Sequence, residues 1–236
     1  MRGRALPFLF LIATACADIT DAGDGVIALE VQPAVPAQVE VGDTITLVAR
    51  ALDRNGDPVA AAITWRTPDP ANIYVESATG RVAGITPGTS GRVQATFGTL
   101  TSDLMALTVV ARADTIEVPA DTLVVDPLAA TSPALAPRVA TLVEGVSTAL
   151  AGRAVIYEIV RPVFADVAAR TVEITGTGAL ADTVASGADG LPSAPVTLSR
   201  ITGLTAPDTV EVSVRVHRRS GALVPGSGQR FVVVFQ

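Results

Sequence analysis

The chain has 236 residues, enough for one or two domains, and its 49% hydrophobic content contains no apolar run near the roughly twenty residues of a membrane-spanning helix. The net charge of −6 argues against a nucleic-acid partner, because phosphate backbones are bound by concentrated basic surface. Every cationic side chain is arginine, and the absence of lysine excludes Walker-type phosphate loops and lysine nucleophiles.

The N-terminus has the features of an export signal. Two arginines precede the apolar stretch Leu6–Ala13, and small residues lead from there to Cys16. This arrangement resembles a lipoprotein signal, with Ala13 where leucine is more usual. The resemblance implies a signal peptide over residues 1–15 and lipidation of Cys16, which would attach the protein to the membrane. The alternative is an ordinary secretory signal that is cut near Ala15 and leaves Cys16 without a role.

Residues 16–26 are predicted to form a short acidic tether. Cys16 is the only cysteine, so the exported chain has no intrachain disulfide, and its stability must come from packing. By analogy with lipoprotein sorting, an aspartate directly after the cysteine retains a protein in the inner membrane. Ala17 stands there instead, with Asp18 following, which favours the outer membrane as the location in the cell envelope.

From Ile27 onward, short strands with turn residues between them predict an all-β sandwich or barrel. The segment Thr44–Leu52 is the clearest strand, and the Asn55-Gly56 turn after it predicts a hairpin. Ile63 and Trp65 alternate with polar residues, which places the only tryptophan on the buried face of another strand.

The first region contains a series of turn and strand motifs. They are Val41-Gly42-Asp43, Asp53-Arg54-Asn55-Gly56-Asp57-Pro58, Ile63-Thr64-Trp65, Ala78-Thr79-Gly80-Arg81-Val82, Gly84, Pro87-Gly88-Thr89 and Leu107-Thr108-Val109-Val110. Together they resemble a bacterial immunoglobulin-like domain of group 2. The resemblance implies an immunoglobulin-like sandwich over residues 27–111.

After a seam at Arg112–Asp114, the strand pattern begins again and predicts a second domain over residues 112–236. Its predicted features are strands at Thr115–Val118 and Thr122–Val125, a loop at Pro127–Pro137, strand or turn motifs at Ala151–Ile159, Ala188-Asp189-Gly190, Val196–Leu198 and Val210–Val216, and a closing apolar strand at Arg230–Phe235. The four motifs from Ala151 to Val216 together resemble the invasin-type, group 1 bacterial immunoglobulin-like domains. The predicted fold is therefore all-β, with two tandem immunoglobulin-like β-sandwich domains after a signal peptide.

One loop offers oxygen ligands to a calcium ion. Asp53, Asn55 and Asp57 alternate around a glycine, as at the start of a calcium loop, but Thr64 stands where the distal carboxylate would be needed. A hairpin turn with Asx side chains explains the same residues without a metal. Asp182 and Asp189 give a still weaker signal of this kind. We therefore predict no metal site.

His217 is the only histidine, so any catalytic dyad or triad would need it. It falls on the polar side of a strand, beside two arginines and away from any carboxylate that would orient it. Zinc would need three or four ligands of a suitable kind, which this single histidine and Cys16 do not supply. The acidic residues are scattered over turns and outward strand positions. We predict no catalytic residue, no cofactor and no enzymatic activity.

Aromatic residues could instead form a platform for stacking sugars. Those after the signal are Trp65, Tyr74, Phe97, Tyr157, Phe164, Phe231 and Phe235, and the pattern assigns most of them to cores. Only Tyr74 and Phe164 remain as candidates for a carbohydrate surface.

The sequence thus predicts a non-catalytic, lipid-anchored cell-envelope protein whose immunoglobulin-like domains serve in adhesion, display or spacing. Its expected partners are the membrane, through Cys16, and another surface protein or a polysaccharide. An accessory carbohydrate-binding module is the first alternative, and it would need two or more exposed aromatic residues on one face. An envelope hydrolase is the second, and it would need a pocket with convergent acids or a nucleophile near His217.

Overall fold

The computed structural model describes residues 25–201 and 209–236, so the predicted signal peptide and most of the tether lie outside the described residues. Every regular element in this described part is a β-strand, which confirms the all-β prediction. No helix within it is long and apolar enough to cross a membrane. The strands enclose two separate hydrophobic cores, one in each of two tandem immunoglobulin-like sandwiches.

The first sandwich is built from eleven strands in two facing layers. One layer contains the sheets β1-β4-β5 and β3-β8-β7, and the other contains β10-β9-β11-β2 with β6 paired to β9. The strands are β1 Ala28–Val31, β2 Gln38–Glu40, β3 Thr44–Thr46, β4 Ala49–Leu52, β5 Pro58–Val59, β6 Thr64–Arg66, β7 Ile73–Val75, β8 Arg81–Gly84, β9 Ser90–Phe97, β10 Leu100–Thr101 and β11 Met105–Val110.

Trp65 lies in the centre of the first core, as its alternation with polar residues predicts. It is 6% exposed, while its strand neighbours Thr64 and Arg66 face solvent. The indole ring rests on Gly80, where a Cβ atom would come within 2.7 Å of the ring and where φ is +70°. Both the close approach and the positive φ therefore require glycine at this position.

The segment Thr44–Leu52 differs from the single continuous strand that was predicted. Its first part, β3, pairs with β8, whereas its second part, β4, pairs with β1. Leu47 lies at the change of partner and donates its N–H to the carbonyl of Gly80 at 3.0 Å. The strand is interrupted because its two halves belong to different sheets. The predicted hairpin after it is confirmed by the pairing of β4 with β5.

The second sandwich is built from ten strands. Its largest sheet has the order β13-β21-β20-β16-β18, and β12-β14-β15 and β17-β19 complete it. The strands are β12 Thr115–Glu117, β13 Thr122–Val125, β14 Arg138–Val143, β15 Val146–Ala149, β16 Ala154–Arg161, β17 Val172–Ile174, β18 Ala181–Ala185, β19 Leu198–Arg200, β20 Thr209–Val216 and β21 Arg230–Phe235.

The closing strand β21 is an interior strand, as its nearly continuous apolar sequence predicts, and it runs parallel to β13 and antiparallel to β20. The hairpin of β14 and β15 was not predicted. Its turn residues Glu144 and Gly145 both have positive φ, of 51° and 82°. Two such residues form the tight turns that match the twist of a hairpin, but glutamate is not a typical residue there.

Replacing Trp65 with alanine should destabilise the first sandwich severely. Truncating a buried tryptophan costs about 3–5 kcal/mol, which is much of the roughly 5–10 kcal/mol that holds a small domain together. The exposed aromatic residue Tyr74, 59% exposed, is the matched control, and Tyr74→Ala should change the free energy of unfolding by less than about 1 kcal/mol. Denaturant titration followed by circular dichroism measures both. A Trp65→Ala variant as stable as Tyr74→Ala would show that Trp65 is not a core residue.

The boundary near Arg112 stays a prediction, and dissection of the chain tests it. Chains of residues 25–111 and 112–236 should each unfold in one cooperative thermal transition, because each contains a complete hydrophobic core. Differential scanning calorimetry of the two pieces makes the measurement. A second piece that is disordered alone would mean that the boundary is misplaced.

Candidate functional site at the junction of the two sandwiches

The two sandwiches meet at Glu40, the last residue of β2, whose side chain is completely buried. Its Oε1 atom lies 2.7 Å from Nη1 of Arg153, which belongs to the second sandwich. The same oxygen accepts the backbone N–H of Arg219 at 3.2 Å, and Oε2 accepts the N–H of Ala113 at 3.4 Å. One carboxylate of the first sandwich thus holds three groups that lie beyond its last strand.

Arg153 is buried almost as deeply, with only 2% of its surface exposed. Its guanidinium also donates to the carbonyl of Ala111, at the end of the first sandwich. Burial lowers the pKa of Arg153, the charge of Glu40 acts against this shift, and the nearby Arg219 adds to it. An arginine remains protonated in proteins, so the junction encloses a cation and an anion in direct contact.

The segment between the sandwiches is fixed to the second one. Asp114 accepts the backbone N–H of Leu142 at 2.9 Å and the Nε–H of Arg112 at 2.6 Å. Burial acts to raise the pKa of Asp114, but these hydrogen bonds outweigh it, and the pKa lies below its ordinary value. The predicted seam at Arg112–Asp114 is therefore a well-bonded joint and not a free linker.

The rim of the junction carries weaker contacts. The Ser220 hydroxyl donates to Oδ2 of Asp43 at 2.5 Å, and Nη2 of Arg219 donates to the carbonyl of Gly152 at 3.2 Å, both in exposed positions. Exposed contacts of this kind contribute little to stability. The buried pair is consequently the group that fixes one sandwich against the other.

Gly84, the last residue of β8, lets β8 pack closely against Glu40 at the end of β2. A Cβ atom on Gly84 would lie 2.9 Å from the carbonyl oxygen of Glu40 and 2.7 Å from Cγ1 of Val109. Any larger residue would push β8 away from the end of β2. The position of Glu40 thus depends on close packing inside the first sandwich as well as on its partner in the second.

The residues considered for calcium binding form a hairpin turn. Asp53 Oδ1 accepts the N–H groups of Asn55 at 2.8 Å and Asp57 at 3.0 Å. These hydrogen bonds lower the pKa of Asp53. Within residues 25–201 and 209–236, no group of three or more histidine, cysteine, aspartate or glutamate side chains is arranged to hold a metal ion.

The remaining candidates do not come together into a site. His217 is exposed, and its Nδ1 lies 2.9 Å from the carbonyl oxygen of Gly221. Of the two aromatic candidates for a sugar surface, Tyr74 is exposed, whereas Phe164 is partly buried against the second core. Asp189 accepts the N–H of Leu191 within a turn. Cys16 and Ala17 lie outside the described residues.

Sequence reasoning missed the junction pair. The alternation of Val39, Glu40 and Val41 places Glu40 opposite the buried Val39, which by itself predicts an exposed carboxylate. It is buried because the second sandwich covers that face. A single sequence offers no signal for this, since Arg153 lies in a different predicted domain.

No protein-family model matches the chain, and no curated protein matches it in sequence. Solved structures similar to it include the adhesin InvE of Yersinia pseudotuberculosis, with 16% identity, a TM-score of 0.38, and coverage of 91% of this chain and 61% of that one. Domains 4 and 5 of the S-layer protein SbsC are similar at 16% identity and a TM-score of 0.32, with coverage of 89% of this chain and 98% of that one. Human protocadherin-24 EC1-2 is similar at 12% identity and a TM-score of 0.29, with coverage of 89% of this chain and 98% of that one. Because these TM-scores are low, the function is proposed from the chain's own residues and contacts.

Replacing Glu40 with alanine should release the junction and leave both sandwiches folded. Losing one partner of a buried ion pair costs about 3–5 kcal/mol, because the other charge is left without compensation. The protein can avoid this cost by opening the junction and hydrating Arg153. We expect a larger radius of gyration in small-angle X-ray scattering, faster proteolysis at Arg112, and unchanged β-sheet circular dichroism.

Asp43→Asn provides the control, because the Asp43 side chain makes one exposed hydrogen bond across the junction, to Ser220, and its other bond, to the N–H of Thr44, is local. This variant should scatter like the unmodified protein. If Glu40→Ala also scattered like the unmodified protein and resisted the protease equally, the buried pair would not be what fixes the junction.

Proposed function

We propose that this protein is a non-catalytic, lipid-anchored module of the cell envelope that holds its second sandwich at a fixed orientation away from the membrane. In this role it would serve adhesion, display or spacing. The single observation that supports the proposal best is the buried contact of Glu40 with Arg153, which connects the first sandwich to the second. Such a contact would suit a spacer, because it would keep the second sandwich from moving freely on the first.

The direction of the chain supports the same role. β2 runs parallel to β11 and ends at the junction, and β1, which precedes it, pairs antiparallel with β4. Val41 bridges Gly84 in parallel, while β8 runs antiparallel to β3, which continues into β4. β1 and β2 therefore run in the same direction, and the chain enters the first sandwich at the end remote from Glu40. A lipid on Cys16 and the second sandwich would then lie at opposite ends of the first one. The tether residues from Ala17 to Gly25, at about 3.3 Å each, would keep the first sandwich within roughly 30 Å of the membrane.

A carbohydrate-binding module is less well supported. With Phe164 packed against the second core and Trp65 within the first, Tyr74 is the one candidate for sugar stacking in the described residues. A single exposed tyrosine on one strand does not make the platform that this function needs. A polysaccharide is therefore proposed only as a surface to which the protein adheres or which it displays.

Replacing Cys16 with serine should move the protein from the membrane fraction to the soluble fraction. The lipid on this cysteine would supply the anchor, since each buried methylene contributes about 0.8 kcal/mol and stable attachment needs more than one acyl chain. Fractionation followed by immunoblotting measures the change. As a companion variant, Ala17→Asp should retain the protein in the inner membrane. Equal partitioning of Cys16→Ser and the unmodified protein would contradict the lipid anchor.

A further inference from the structure

Exposed aliphatic side chains are concentrated in two loops of the second sandwich. Among the described residues, four large aliphatic side chains are more than two-thirds exposed: Leu128 at 96%, Val35 at 92%, Val163 at 88% and Val167 at 69%. Three of the four belong to the loops 126–130 and 162–171. Single exposed aliphatic residues are common on protein surfaces, whereas a local group of them indicates a contact surface.

Both loops lie at the tip of the second sandwich, the end remote from the junction. β13 runs parallel to β21, and β21 and β16 are both antiparallel to β20, so β13 and β16 end on the same side. β16 begins directly after Arg153, which contacts Glu40 at the junction. Its 8 residues span about 26 Å, so the loops lie roughly that far from the junction.

The two loops cross the tip from one sheet to the other. The first leaves β13 and continues to Thr131, which bridges Ser199 of β19. The second leaves β16 and continues to Thr171, whose carbonyl accepts the N–H of Ile201 just after β19. Since neighbouring strands lie about 4.8 Å apart, the loops are separated by about 14 Å at β13 and β16 and by about 10 Å on either side of β19.

The first loop is a tight turn that holds Leu128 in solvent. In Asp126-Pro127-Leu128-Ala129, the N–H of Ala129 donates to the carbonyl of Asp126 at 2.9 Å. The N–H of Leu128 donates to Oδ1 of the same aspartate at 2.8 Å. Proline at the second position fixes the backbone of such a turn. The turn therefore presents Leu128 from a backbone that is already ordered.

The second loop contains a similar turn. Oδ1 of Asp166 accepts the N–H of Ala169 at 2.9 Å, and Val167 lies within that turn. Phe164 packs against the second core, whereas Val163 beside it is exposed. The loop is thus held to the sandwich by its aromatic side chain and carries its two valines in solvent.

The charged side chains of the two loops and of the strand ends beside them balance. Those of the loops are Asp126, Asp166, Arg161 and Arg170, two of each sign. Glu211, which lies 3.8 Å from Arg161, and Arg200 at the end of β19 add one of each sign. All these groups keep their charges. They favour neither a cationic nor an anionic partner, so the aliphatic side chains give the surface its chemical character.

The spacing of the aliphatic side chains favours a fluid apolar surface over a second protein. A protein interface buries its anchor side chains in fitted pockets, so loops about 10–14 Å apart would need two pockets at that spacing. A lipid bilayer has no fixed pockets, and apolar side chains enter the boundary between its headgroups and acyl chains in proportion to their area. Zwitterionic lipid also matches the balanced charge of the loops.

We propose that loops 126–130 and 162–171 insert Leu128, Val163 and Val167 into the surface of a zwitterionic lipid bilayer. The contact is weak and reversible, because these side chains contain fewer carbons than one myristoyl chain, which alone gives only marginal binding. It therefore does not replace the lipid on Cys16 as the anchor. The next step rests on the proposed function: the tip would touch a second membrane that faces the anchoring one, and many anchored copies would make the contact stable.

The test uses the full mature chain carrying Cys16→Ser, which has no thiol, so one added cysteine can be labelled selectively. Leu128→Cys and Val163→Cys are each labelled with NBD, a fluorophore sensitive to its environment. On titration with phosphatidylcholine vesicles up to about 10 mM lipid, the emission of both proteins should increase and shift to shorter wavelength. The same label at Asn55→Cys, in an exposed turn of the first sandwich, should not respond.

Replacing Leu128 and Val163 together with serine measures what the side chains contribute. In a vesicle-sedimentation assay, this double variant should lose at least about tenfold in partition coefficient, because insertion depends on apolar area. Val35→Ser is the matched control, since it removes an equally exposed aliphatic side chain from the first sandwich, and it should leave the partition coefficient unchanged. Circular dichroism should show every variant folded, because surface substitutions change stability little.

The proposal is overturned if either labelled loop fails to respond to the vesicles, if the Asn55 label responds equally, or if binding requires added phosphatidylglycerol. It is also overturned if the double serine variant loses no more than Val35→Ser. Because the vesicle assay uses protein without its lipid, its result is separate from that of the anchor. Failure of the anchor would appear in cell fractionation while vesicle binding persisted, and failure of the tip contact would do the reverse.

Discussion

Two buried charges in contact, Glu40 and Arg153, are the constraint on which the arrangement of this molecule depends. Removing an ion from water costs several kcal/mol, and only a close counter-ion with further hydrogen bonds offsets the cost. Here the counter-ions come from different sandwiches. Neither side chain could stay buried if the other sandwich moved away, so both stay buried only while the junction is closed.

The strand that carries Glu40, β2, is only three residues long. β2 pairs with β11 next to the junction, and Glu40 is its last residue. Because β2 pairs with only the last three residues of β11, no described strand pairs with that side of β11 before Thr108. A short β2 thus leaves a fixed joint at one end of the sandwich and an open edge towards the other.

The sequence predicts what depends on local periodicity. Trp65 is buried and β21 is an interior strand, as the sequence predicts. These predictions succeed because a strand covered on one face has alternating apolar residues and a strand covered on both faces has nearly continuous ones. It does not predict what depends on distant partners. Thr44–Leu52 is divided because its halves pair with different strands, and Glu40 is buried by the other sandwich. Phe164 packs against the second core, although the residues around it in sequence show no strand pattern. The turn at Glu144 was missed because a glutamate with positive φ has no compositional signal.

The junction also limits how such a chain can change over generations. A domain exchanged by recombination would bring its own residue to face Glu40 or Arg153, and a buried charge would then lack its partner. A substitution at either position alone would leave the remaining charge without its partner, whereas a matched change at both would not. We therefore expect either sandwich to exchange poorly with an unrelated domain unless both positions change together.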